Sequence, residues 1–149
     1  EKSNRYSFVK NPVEIKIKNP LPLKEIEIKI HPDKKETRKI KIANSFKISS
    51  EDFEKLKGKE VRLIYLYNIM LNKISEITSV EKHVKDKINW VSIGIKCKIL
   101  MENGEWTEGI ADEGILDLKE KETIQFERFG FVTLSRKTEE FYEFYFAHR

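Results

Sequence analysis

One cysteine, three histidines and four prolines among 149 residues leave little from which to build several common kinds of protein. A lone thiol, Cys97, excludes an intrachain disulfide framework. It alternates in phase with Val91, Ile93, Ile95 and Ile99, and so reads as a small core residue rather than a reactive nucleophile. His31, His83 and His148 are scattered, and no Cys/His spacing fits a zinc site, so no metal site is expected. Glycine-rich phosphate loops are missing, as is any Ser, His and Asp set in a nucleophile motif, so no catalytic residue is nominated. No apolar run reaches the ~18 residues of a membrane span, and no signal peptide is visible. These absences predict a soluble, intracellular chain of cytoplasmic location with no membrane partner. The chain opens on Glu1 rather than Met and is expected to be a piece of a longer protein.

Arginine is scarce too. Six arginines (5, 38, 62, 128, 136 and 149) stand against 23 lysines. Where lysine supplies ordinary surface charge, each arginine is a candidate for its planar fork, which can hold a phosphate or read a base edge. Pairing with a glutamate inside a barrel is the plainer alternative for each. Charged residues make up 36% of the chain and apolar ones 39%, enough for a core. The net charge of +4 conceals an asymmetry: residues 1–100 carry 23 Lys and Arg against 13 Asp and Glu, and residues 101–149 carry 6 against 12. A basic first two-thirds points either to a polyanionic partner or to a solvated Lys/Glu-rich surface.

The dominant pattern has period two. Val13–Lys18, Ile26–Ile30 and Arg38–Ile42 alternate isoleucine or valine with charge, as strands with one wetted face do. Glu60–Leu71 and Ile88–Leu100 read as longer strands and Phe141–Phe146 as an aromatic one, while Asn103-Gly104 predicts a hairpin of the type I′ kind. Only Ser49–Gly58 looks helical, with a serine cap, acids first and lysines last; a further turn is expected after Gly114. The fold class is therefore all-β, a barrel or sandwich. The stretch IQFERFGFVTL, Ile124–Leu134, does not sort its faces, and reads as one strand bent or bulged at Gly130.

Several of these segments, in order, resemble one family. RYSFVKNPVEIKI is similar to its Arg-x-x-x-Val-x-Asp-Pro-Val opening, with Asn11 where Asp is usual. HPDKKETRKI, SSEDF, GKEVRL, INWVS, IQFERFGFVTL and FYFAHR follow in the family's order, covering Arg5 to Arg149. The resemblance is to the C-terminal anticodon-binding domain of class I glutamyl- and glutaminyl-tRNA synthetases of archaeal/eukaryotic type. It implies two small β-barrels related to ribosomal protein L25 with exchanged strands. Residues of roughly 1–30 and 105–149 would form the proximal barrel and roughly 31–104 the distal one.

The resemblance also implies residues. Arg5 and Gln125 would hold the middle anticodon base, a uridine, and Arg62 the first base. Arg128 is a further anticodon-binding candidate or an internal pair. Lys55, Lys57, Lys59 and Arg38 are candidates for phosphate. Glu127 is read as an orienter for Arg5 or Arg128. EKLKGKE lacks the arginine with which glutaminyl enzymes read a third-base guanine, which favours glutamate. The expected partners are the tRNA(Glu) anticodon stem-loop and an upstream catalytic domain of the same chain. The fragment holds no cofactor; ATP and Mg would belong to that catalytic domain. A glutamine–tRNA ligase module and a stand-alone L25-like RNA-binding protein are the alternatives.

Overall fold

The computed structural model describes residues 3–81 and 83–149. Strands dominate, in two curved sheets, one a half-barrel and the other nearly closed, so the fold is the all-β, two-barrel kind. Strands β1 (Arg5–Tyr6) and β2 (Phe8–Lys10) belong to the first sheet. The chain then crosses to the second, which contains β3 (Pro12–Lys18), β6 (Ser45–Ser49), β7 (Glu60–Leu63), β8 (Asn68–Met70), β9 (Ile74–Ser79) and β10 (Lys87–Ile88). It returns with β11 (Gly94–Leu100), β12 (Trp106–Asp112), β13 (Thr123–Phe126), β14 (Gly130–Lys137) and β15 (Tyr142–His148) to complete the first. A two-stranded hairpin, β4 (Glu25–Lys29) with β5 (Thr37–Lys41), stands between them.

Each sheet has its own core. Ile15, Phe46, Ile48, Leu63, Ile69 and Ile88 fill the second, and Cys97, Ile99, Ile124, Phe126, Leu134 and Phe144 the first. These cores shift the expected division of the chain. β3, expected in the proximal barrel, pairs with β6 and β9 in the second sheet, because Asn11 adopts a left-handed φ of 45° and turns the chain directly after β2. β11, expected in the distal barrel, lies in the first sheet. The Asn103-Gly104 hairpin binds it to β12, and a tight hairpin keeps both strands in one sheet. That hairpin is not of the type I′ kind. Gly104 donates to the Met101 carbonyl, and Gly104 alone of the pair has positive φ, 85°, the geometry of a type I turn closed by a glycine bulge.

Two expected long strands are hairpins. Glu60–Leu71 reverses after Leu63, with Leu66 N–H donating to the Leu63 carbonyl and Tyr65 at φ 72°. Ile124–Leu134 reverses after Phe126, with Phe129 N–H donating to the Phe126 carbonyl and Arg128 at φ 62°. Chain reversal, not a bend, is why its faces do not sort. Gly130, at φ 148°, follows the turn where a Cβ would lie 2.6 Å from the Phe146 ring. The alternation over 88–100 is also interrupted: Trp90 and Val91 are buried, Cys97 and Ile99 fill the first core, and Ile93 between them is exposed. The one α-helix among the described residues, α1 (Ser50–Leu56), starts as expected, with Ser49 Oγ accepting from Asp52 N–H at 3.0 Å. Residues Glu113–Asp117 form a 3-10 turn.

Candidate nucleic-acid interface

A cavity of about 420 Å³ opens where the two sheets and the hairpin meet. The first sheet contributes Arg5 and Glu127, the second Arg62 and Tyr65, and the hairpin Glu27, Lys29 and neighbours. Arg5 is placed by both of its neighbours: its N–H donates to the Ile30 carbonyl of the hairpin at 2.8 Å, and its Cα pairs with Gln125 in a parallel register. That register sets Arg5 and Gln125 side by side on the face opposite the buried Ile124 and Phe126. Gln125 does not line the cavity that holds Arg62. Among the described residues the Arg5 guanidinium makes no hydrogen bond, and its Nε is buried without a partner.

Arg62 is buried and committed on one side. Its Nη1 donates to Asn68 Oδ1 at 3.2 Å and to the carbonyls of Val80 and Glu81 at 3.3 and 3.2 Å. Asn68 is itself held by Ser79 Oγ and the Glu81 carbonyl, so the fork is fixed before any ligand arrives. Tyr67, five residues after Arg62, is core: it is buried and meets Phe46 edge-on. Tyr65 is half exposed and lines the cavity.

The tip of the β13–β14 hairpin docks on the second sheet. Asn89 Nδ2 donates to the Glu127 carbonyl at 3.1 Å, and Arg128 Nη1 to the Lys87 carbonyl at 2.7 Å. Arg128 thus pairs across the two sheets while its side chain stays exposed. Tyr65 donates to both Glu127 carboxylate oxygens, at 3.1 Å each. Burial raises the Glu127 pKa above its ordinary value, against the pull of Tyr65, Arg5 and Arg38. Burial and the adjacent Glu127 charge push the Tyr65 phenol up to about 12.

Arg38 is not available to a phosphate. Its guanidinium forms a two-point pair with Asp112, Nη1 to Oδ1 at 2.7 Å and Nη2 to Oδ2 at 2.8 Å, and lies over the Tyr6 ring. Asp112 also accepts from the N–H groups of Ser7 and Gly114. A bidentate partner this well satisfied does not exchange for solvent-exposed phosphate at low cost. Lys55, Lys57 and Lys59 are all exposed, on α1 and just after it, and Lys57 reaches Glu54 at 3.6 Å. The contacts of Asn89 with Glu127 and of Asp112 with Ser7 had no local signature, because these partners lie 38 and 105 residues apart. Among the described residues, no three His, Cys, Asp or Glu converge as a metal site and no helix is long and apolar enough to cross a membrane.

Two family models match, both described as the anticodon-binding domain of class I tRNA synthetases (E and Q), one over residues 3–89 and the other over 51–135. Similar proteins include the glutamate–tRNA ligase of Archaeoglobus fulgidus, 34% identical over 93% of this chain and 26% of that protein. That of Methanosarcina acetivorans is 35% identical over 99% of this chain and 28% of its own length, and that of Methanocaldococcus jannaschii 29% identical over 99% and 29%. The chain spans under a third of the length of the curated relatives it matches. It belongs to the class I (E and Q) anticodon-binding domain family.

Proposed function

We propose, from that membership, that the chain is the anticodon-reading module of a glutamate–tRNA ligase. The parent enzyme attaches glutamate to tRNA(Glu) with ATP, and ATP and Mg are handled by an upstream catalytic domain. The observation that carries this reading is the cavity itself. Two arginines from different sheets, Arg5 and Arg62, meet there, with Arg5 unbonded and Arg62 fixed by its inner contacts. A splayed, single-stranded base is recognised by such planar groups, through stacking and edge hydrogen bonds. Arg5 with Gln125 reads the middle uridine, Arg62 the first base, and Lys55, Lys57 and Lys59 hold backbone phosphates. Arg128 serves by fixing the hairpin tip that carries the reader. Glutamate is preferred over glutamine because EKLKGKE supplies no arginine for a third-base guanine.

Binding of the chain to a glutamate-tRNA anticodon stem-loop tests this. Changing the middle U to C is expected to weaken binding about tenfold or more, the size of one good base contact. Arg5→Ala or Gln125→Ala flattens that preference. Equal affinity for the two stem-loops in the unaltered chain overturns the assignment.

A further inference from the structure

Glu127 poses a problem at an RNA site. A carboxylate repels phosphate, and it shares a cavity with Arg5, whose guanidinium has no hydrogen-bond partner among the described residues. Left free, the two would close into an ion pair, the strongest contact either can make, and the reader would be occupied by its own neighbour. They do not close. Both oxygens of Glu127 accept from Tyr65, and its backbone is pinned on both sides, N–H to the Tyr6 carbonyl and carbonyl from Asn89. Tyr65 is held as firmly: its turn is closed by the Leu63 carbonyl, and the preceding Ile64 carbonyl accepts from buried Trp90 Nε1 at 2.7 Å. At φ 72° the turn would form more easily with glycine, so the tyrosine is kept at a backbone cost that its side chain offsets.

We propose that Tyr65 is a specificity-determining positioning residue: it holds the Glu127 carboxylate away from Arg5, so that the guanidinium remains free for a base. This rests on the reading of Arg5 as a base contact. It concerns a different residue, on the other sheet, that acts through Glu127 rather than by touching the base.

The test measures the affinity ratio between stem-loops with middle U and middle C. Tyr65→Phe removes only the hydroxyl and releases Glu127 onto Arg5. The ratio is expected to fall from about tenfold to about threefold or less. Adding Glu127→Gln to Tyr65→Phe removes the captor and is expected to restore the ratio to near that of the unaltered chain. A purely structural defect from the lost hydroxyl would persist in the double variant, so restoration separates the two. An undiminished ratio in Tyr65→Phe, or a double variant no better than the single, overturns the proposal. A lack of preference in the unaltered chain brings down the base-reading assignment instead, and this inference with it.

Discussion

Each arginine proves to have a separate use. Arg38 is bonded to a carboxylate, Arg62 to one side-chain oxygen and two carbonyls, and Arg128 to a carbonyl across the sheets. Arg136 pairs with Glu143, Arg149 lies over Phe146 at the edge of another cavity, and the Arg5 guanidinium, without a hydrogen bond among the described residues, lines the cavity between the sheets. Scarcity in the sequence singled the arginines out, but it did not say which are bonded within the fold. Glu127 is a carboxylate whose ionisation the fold resists. Burial holds its pKa above the ordinary 4.5, so the folded chain binds that proton more tightly than the unfolded chain. The stability this gives is complete below 4.5 and is lost as pH rises through the folded value. Glu127→Gln is therefore expected to flatten the dependence of melting temperature on pH just above the ordinary glutamate range and to melt slightly higher at neutrality. Calorimetry of both proteins from about pH 4 to 8 checks this, and parallel curves would refute it.

Among the elements, the β4–β5 hairpin reaches both sheets, with Ile28 and Ile40 in the second core. It is the smallest sheet, yet it walls the cavity, and Arg38 ties it to the first sheet through Asp112. Asp112 is buried and the Arg38 side chain is mostly covered, 2% and 12% exposed. Arg38→Met leaves Asp112 buried without its counter-charge and is expected to cost about 3–5 kcal/mol in urea denaturation. Arg136→Ala, at the exposed pair with Glu143, is expected to leave the midpoint unchanged. The strand pattern was legible: β3, β4 and β5 fall within a residue of the alternating segments that announce them, and Ser49 caps the helix. The turns at Tyr65 and Arg128 were not, because a tyrosine and an arginine at positive φ carry none of the glycine or asparagine chemistry that marks a turn. Arg38 was misassigned for a related reason. Its partner Asp112 is 74 residues away, beyond any local pattern, so a buried pair and a phosphate contact read alike in sequence.

Across the whole molecule, the uneven charge has a measurable reading. The basic segment includes the exposed Lys55, Lys57 and Lys59, and phosphate contacts made by such lysines release counterions. Lys57→Ala is expected to weaken binding to all stem-loops alike and to reduce the slope of log affinity against log salt by roughly 0.7–0.9. A loss confined to one anticodon sequence would contradict the phosphate role. The interleaving of the two sheets has a further consequence, for the order in which the chain acquires structure during synthesis. The strands of the second sheet lie between Pro12 and Ile88, with Trp90 in its core and Val91 bridging to Lys47, so these partners have all emerged once residue 91 has left the ribosome. The first is assembled around the strand pairs of greatest sequence separation: β1 lies against β13 and β2 against β12. Contacts this distant form slowly, since the intervening loop must be closed before they reward it. Arg5, near the start of the chain, therefore waits for residues beyond 120 before it has a strand to pair with, and the completed distal sheet is the scaffold across which that late closure takes place.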